Sequence, residues 1–231
     1  MMAEAPASSV VRDWIGTRLP GKAGRNYRRD LKKRRKSEAE AALMAVLDRI
    51  SGGLCIDLGA NLGVWTRRMA AASDRVIAFE PDPWTAQRLR ENVADLPNVT
   101  VIEAAAGIRG GRAALYRSRQ FEEDRETRSE SSSLLSAKSN VDPASGVDVD
   151  VIDFPGFISD LDRDIAVLKV DIEGAEVELL EVLLDHPVLS RIGHLFVETH
   201  EDRIPDLAAR TAALRARARR VAGPVINMDW R

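Results

Sequence analysis

Residues able to do chemistry are concentrated in two short stretches, Lys169-Val-Asp171-Ile-Glu173-Gly174-Ala-Glu176 and Glu198-Thr-His200. If each leaves an extended strand, alternation puts Lys169, Asp171 and Glu173 on one side, and likewise Glu198 and His200. Neighbouring carboxylates can share a proton, bind a divalent cation or hold a substrate hydroxyl, so Asp171 and Glu173 form a candidate acid–base or metal pair. Taken singly, each residue also reads as a solvated strand end, with Lys169 as ion-pair partner. A functional cluster is favoured because all of them fall on one expected ligand edge. His186, before Pro187 at a helix end, and His194, at a strand start, read as structural.

A third stretch, Cys55-Ile-Asp57-Leu-Gly59-Ala60-Asn61-Leu-Gly63-Val-Trp65-Thr, reads as a buried strand, a glycine-containing turn and a helix start. Gly59 and Gly63 permit a tight turn and close backbone approach to a ligand. Asp57, at the strand's carboxyl end, is expected to reach that ligand directly. The dinucleotide fingerprint would need glycines where Asn61 and Val64 stand, and no helix-start lysine follows, which excludes a P-loop. Glu80 ends the next strand about 20 residues on, where an acidic side chain accepts from both hydroxyls of a ribose. Pro81-Asp82-Pro83 then blocks further strand pairing and starts a helix.

These residues need a scaffold, and the hydrophobic pattern supplies one. Apolar runs predict strands at Leu54–Leu58, Val76–Phe79, Val99–Glu103, Ile165–Val170 and Leu195–Glu198. Amphipathic segments predict helices near Val64–Ala72, Trp84–Leu96, Ala175–Leu184 and Pro205–Arg220. Strands apolar on both faces indicate a parallel sheet covered by helices on each side. The expected fold is α/β and doubly wound, with ligands beyond the carboxyl ends of the strands. Ser37 and Glu40 form a capping-box pattern, so a helix is expected to start there, carrying Leu43, Val46, Leu47 and Ile50 to the stop at Gly52-Gly53. The domain is accordingly read as 37–231, preceded by a basic N-terminal arm, 1–36. An insert at 107–150 interrupts the alternation with a hairpin strand (Arg112–Tyr116), an acidic, Ser-rich loop and a second β-rich piece (Val147–Ile152).

The 231 residues carry 34 Lys+Arg and 36 Asp+Glu, a net charge of −2 that hides a strong segregation. From Arg12 to Lys36 eleven basic residues face two acidic ones, so this stretch is +9 and the remainder −11. Such a block suits a polyanion, or docking on the protein's own acidic body. The single cysteine, Cys55, excludes a disulfide framework and a cysteine-built zinc site. The N-terminal residues lack the basic-then-apolar order of a signal peptide, and no apolar run approaches the ~20 residues that span a bilayer. The expectation is a soluble, cytoplasmic protein.

The acidic-x-Gly-x-x-x-Gly turn resembles the cofactor loop of S-adenosylmethionine-dependent methyltransferases. Their cofactor is a cation without a pyrophosphate, so an acidic residue at the turn makes electrostatic sense. Three blocks sharpen the likeness: IDLGANLGVWT; AFEPDP followed by Asn92; and LKVDIEGAEVELLEVL followed by FVETH. Together they resemble the FkbM-type methyltransferase family over about residues 53–200, and Asn61 agrees with that family's GAN turn. The resemblance implies a Rossmann-like class I fold, S-adenosylmethionine as cofactor, and O-methylation of a hydroxyl on a sugar, glycan or small natural product. It implies cofactor contacts from Asp57, Gly59, Ala60, Asn61, Gly63, Glu80, Asp82, Glu103, Ala105 and Asp171, with the adenine beside the small residues after Glu103.

Methyl transfer to oxygen requires in-line positioning and removal of the hydroxyl proton. An imidazole titrates near neutrality, so His200 is the expected base. Asp171 and Glu173 are the alternative base or a metal pair, Lys169 orients them, and Glu198 completes the cluster. One rival is an RNA methyltransferase whose basic segment tracks phosphates; against it stand the acidic body and only Trp14 and Tyr27 for stacking. Another is a non-catalytic cofactor-binding module, against which stand Asp57, Glu80, Asp171 and His200. The basic segment also suits an anionic membrane surface or a partner protein. Acceptor specificity is expected in the insert, where Ser131–Ser133 are candidates.

Overall fold

The computed structural model describes residues 7–230. Two helices come first, α1 (Ala7–Arg18) and α2 (Gly21–Leu47). Strands and helices then alternate: β1 (Leu54–Leu58), α3 (Val64–Ala72), β2 (Arg75–Phe79), α4 (Pro83–Asn92) and β3 (Val99–Ile102). The insert follows with β4 (Ala105–Gly107), β5 (Gly111–Ser118), the single turn α5 (Arg125–Arg128), β6 (Val141–Asp153) and α6 (Phe154–Asp160). Alternation resumes through β7 (Ile165–Val170), α7 (Glu176–Leu183), β8 (Ile192–Glu198), α8 (Ala208–Ala218) and β9 (Val225–Trp230).

Six strands form one sheet in the order β3-β2-β1-β7-β8-β9, and every neighbouring pair is parallel. The chain steps outward from β1 to β3, then returns to the other side of β1 with β7. That reversal makes the β1/β7 boundary the switch point, where a crevice opens at the carboxyl ends. This is the doubly wound, Rossmann-like fold expected.

Strand alternation builds the two faces. Leu54, Ile56 and Leu58 pack with Leu168, Val170 and Leu195 against Phe154, Val177, Leu180 and Leu214 from α6, α7 and α8. Cys55, Val76, Val167 and Phe196 point the other way, against Leu43, Leu47 and Met69 from α2 and α3. Asp57 and Lys169 follow Cys55 and Val167 by two residues, so they share this second face and enter it beneath α3.

Two expectations about secondary structure are corrected. The helix expected to start at Ser37 starts at Gly21, and Ser37 lies in its interior with no capping role. Arg, Lys, Ala and Glu are good helix formers, and the stretch holds no proline to halt them. The basic segment is thus helical and folds back on α1. Tyr27 donates its hydroxyl to Asp13 at 2.8 Å, and Arg34 donates to both Asp13 oxygens at 2.8 and 2.9 Å. The sixth strand, β9, lies outside the expected set. Its six residues include Asn227 and Asp229, which blur the apolar pattern, and pairing with β8 at the sheet edge makes it a strand. It ends in the buried Trp230.

The insert forms a second sheet of order β4-β6-β5, with Gly111–Ser118 antiparallel to β6. Between its two long strands, residues 119–140 return to the main sheet. Ser133 donates its hydroxyl to the Glu173 carbonyl at 2.6 Å, and Lys138 donates to the Ser131 carbonyl at 2.7 Å.

Candidate active site

At the carboxyl ends of β1, β2, β7 and β8 lies a cavity of about 330 Å³, within the range of small-molecule sites. Gly59, Ala60 and Asn61 form one wall with Glu80. Ala104, Ala105, Ala106 and Leu115 make an apolar slot beside them. Lys169, Asp171, Glu173, Glu198 and His200 gather at another part of the lining, and Ser131–Ser133 from the insert also line it.

The turn after β1 is held by its backbone. Gly59 and Ala60 donate their N–H groups to the Phe79 carbonyl at 3.1 and 3.0 Å, and Asp171 donates to the Leu58 carbonyl at 3.0 Å. Gly59 has φ +72, and a Cβ there would lie 1.8 Å from the Asp171 carbonyl oxygen. No side chain fits at Gly59, so the β1 and β7 turns meet backbone to backbone at this point. Asn61 also takes a left-handed conformation, φ 48, which asparagine tolerates better than most residues.

Glu80 is 7% exposed and accepts two backbone N–H groups, Asn61 at 2.9 Å and Asp82 at 3.1 Å. Burial pushes its pKa up to about 8 despite these bonds. A carboxyl in either protonation state has acceptor capacity beyond two hydrogen bonds, so Glu80 can still receive a donor at the cavity. The Asn61 side-chain oxygen is buried without a hydrogen-bond partner among the described residues.

Four expected cofactor residues do not line the cavity. Asp57 is wholly buried, accepting from Thr66 Oγ1 at 2.7 Å and Lys169 Nζ at 3.0 Å. The direct reach expected of it gives way to a supporting position behind the turn. Asp82 caps α4, accepting from the Thr85 N–H at 3.0 Å and Arg117 Nε at 2.6 Å. Glu103 is exposed and pairs with Arg90 at 2.8 Å. Gly63, at the start of α3, packs against Leu89 rather than the cavity: a Cβ there would lie 2.7 Å from Leu89 Cδ1.

The cluster forms differently from the strand alternation expected. β7 ends at Val170, and Glu173 turns back through a left-handed conformation, φ 55. Such strain is characteristic of functional sites. Lys169 Nζ lies 3.0 Å from Asp57, 3.3 Å from the Gly59 carbonyl and 3.6 Å from Asp171. Burial opposes its charge, but Asp57 and Asp171 prevail and hold its pKa above the usual lysine value. Lysine therefore ties the turn's buried carboxylate to the cluster.

His200 has carboxylates at both ring nitrogens: Nδ1 lies 3.2 Å from Glu176, and Nε2 lies 3.2 Å from Glu173 and 3.7 Å from Asp171. Burial would lower its pKa, yet Glu176, Glu173 and Asp171 raise it to about 9. These carboxylates favour the protonated ring, which weighs against the neutral histidine base expected from the sequence. Glu176, to which the sequence pattern assigns no role, is its anchor. This carboxylate is fully buried and also accepts the backbone N–H of His200 at 3.1 Å and of Gly174 at 2.6 Å.

Glu173 is engaged by His200 and by the buried Lys138 of the insert. Burial still raises its pKa against both cations. Glu198 is raised to about 7, first by burial and then by Asp171, with Lys36, His200 and Lys169 opposing. The metal pair expected at Asp171 and Glu173 is not the set that converges: Asp171, Glu198 and His200 bring ligand atoms within 4.8 Å of one another. A cation there would compete with the Lys169 ammonium beside Asp171 and with the imidazolium proton. Of the other histidines, His186 caps the turn after α7, its Nδ1 accepting from the Val188 N–H at 3.3 Å.

A doubly wound parallel sheet with this cavity at its switch point is consistent with a Rossmann-like class I fold. Residues 57–219 match the methyltransferase FkbM domain, and the chain belongs to that family. Among solved structures it is similar to a methyltransferase FkbM from Methylobacillus flagellatus KT, at 18% identity and TM-score 0.42, covering 72% of this chain and 37% of that one. It is also similar to a precorrin 8W decarboxylase from Methanobacterium thermoautotrophicum (15% identity, 63% of this chain and 54% of that one, TM-score 0.36). A third is an rRNA methylase from Streptococcus thermophilus (11% identity, 64% of each chain, TM-score 0.36). The chain thus spans less than two thirds of the length of each of these three. No curated protein matches the chain. No helix among the described residues is long and apolar enough to cross a membrane.

Proposed function

We propose that this methyltransferase uses S-adenosylmethionine to methylate a hydroxyl on a sugar, glycan or small natural-product acceptor. The observation that carries the cofactor reading is Glu80, a buried carboxyl at the cavity holding only two backbone donors beside the unpartnered Asn61 oxygen. A ribose diol supplies the donors that these acceptors lack, and the slot at Ala104–Ala106 suits an adenine ring. When bound, the cofactor supplies an electrophilic methyl group on a sulfonium.

In this reading Asp171 takes the acceptor's proton. It is 26% exposed in its side chain, and its nearest cations, Lys169 and His200, stand at 3.6 and 3.7 Å, leaving room for a hydroxyl donor. Lys169 and the His200 imidazolium orient it and offset the charge of the neighbouring carboxylates. Glu198, with a ligand atom within 4.8 Å of those of Asp171 and His200, is a further acidic group beside that proton. Ser131–Ser133 and Arg203 form the acceptor side of the lining.

Calorimetry with S-adenosylmethionine tests the reading directly. Glu80→Gln replaces an acceptor of two hydroxyls with an amide, and affinity is expected to fall roughly tenfold or more. Undiminished affinity would remove Glu80 from the cofactor site. A screen with labelled cofactor over sugars, glycolipid intermediates and RNA then identifies the acceptor. With Asp171 as base, turnover does not climb as pH passes about 9, where a neutral-histidine base would switch on.

A further inference from the structure

The helical hairpin of α1 and α2 carries a surface that methyl transfer does not explain. Val11, Trp14 and Ile15 recur on one side of α1 at helical spacing, with Leu19 just beyond, and they are 57, 58, 51 and 40% exposed. Arg18 lies over the Trp14 ring at 4.2 Å. On the same hairpin Arg12, Arg18, Lys22, Arg25, Arg28 and Arg29 are all exposed. The one acidic residue between Val11 and Arg29, Asp13, is turned inward to Tyr27 and Arg34. Exposed apolar side chains that include a tryptophan, on a hairpin rich in exposed cations, are what a helix presents to an anionic lipid interface.

We propose that this hairpin docks on an anionic lipid bilayer, with Val11, Trp14, Ile15 and Leu19 in the interface and the basic side chains among the headgroups. RNA fits less well, because the aliphatic side chains stack on no base and Tyr27 is held by Asp13. A second copy of the chain would bring the same cations face to face. The second helix of the hairpin, α2, reaches the cavity, which Lys36 and Glu40 line. Lys22 to Lys36 spans about 20 Å of helix, so docking holds the cavity near the headgroups. This surface does not depend on the cofactor or acceptor reading, and either can fail without the other.

Co-sedimentation of the full chain compares vesicles of phosphatidylcholine alone with vesicles containing about one third phosphatidylglycerol. Binding is expected only to the anionic vesicles and should weaken with salt. The pair Trp14→Ser and Ile15→Ser, and separately the pair Lys22→Gln and Arg25→Gln, should each reduce partitioning roughly tenfold or more. Circular dichroism confirms that the variants fold; if the apolar pair unfolds, the charge pair decides alone. Equal sedimentation with both vesicle types, or undiminished binding by folded variants, overturns the proposal. So does salt-steep binding of a single-stranded RNA oligomer by a chain that ignores the anionic vesicles.

Discussion

The protonation of His200 gives the sharpest quantitative consequence. Its pKa is raised from an ordinary value near 6.5 to about 9 by Glu176, Glu173 and Asp171, and the ring is 4% exposed, so solvent screens these interactions little. A shift of that size corresponds to roughly 3 kcal/mol favouring the folded imidazolium. The folded state holds the proton more tightly, so this stability is fully present below about pH 6.5 and is lost as pH rises through about 9. Glu80 and Glu198, with folded pKa values of about 8 and about 7, also bind protons more tightly when folded, so they likewise erode stability with rising pH. Urea unfolding of the parent chain and His200→Gln across this range isolates the histidine as the difference between two curves. Titration of the ring by NMR checks the pKa itself, and Glu176→Gln should bring it down. An imidazole titrating near its ordinary value, or parallel stability curves for parent and variant, would refute the reasoning.

Lys169→Met should cost about 3–5 kcal/mol in urea unfolding, because it leaves Asp57 buried without its cation. Adding Asp57→Leu should recover part of that loss; strict additivity would show that the pair is not coupled. Gly59→Ala forces a Cβ onto the Asp171 carbonyl at φ +72 and should lower stability by about 3 kcal/mol or more, read as a lowered melting temperature. Ser37→Ala should change stability by no more than about 0.5 kcal/mol, since Ser37 caps no helix; a loss of about 1 kcal/mol or more, the size of a lost cap, would restore the capping box.

Periodicity and local chemistry determined much of this protein. Apolar runs on both faces of Leu54–Leu58 and Ile165–Val170 require a sheet buried between helix layers, and Gly59 and Glu80 mark a turn and strand end that a ligand approaches. The capping pattern at Ser37 outweighed the run of good helix formers before it, and the fold settles the matter by joining both into α2, which Tyr27 and Arg34 tie to Asp13 of α1. Nor could it separate Asp57 from Asp171, two carboxylates at neighbouring strand ends. Which of them faces the cavity depends on Lys169 and Thr66, residues brought to Asp57 from β7 and α3. The histidine shows the same division most clearly. Residue type alone places His200 near neutrality, but its charge is set by Glu173, Glu176 and Asp171, which a left-handed turn and the start of α7 bring to both sides of the ring. A pKa is a property of the surrounding field, and that field exists only once the chain has folded.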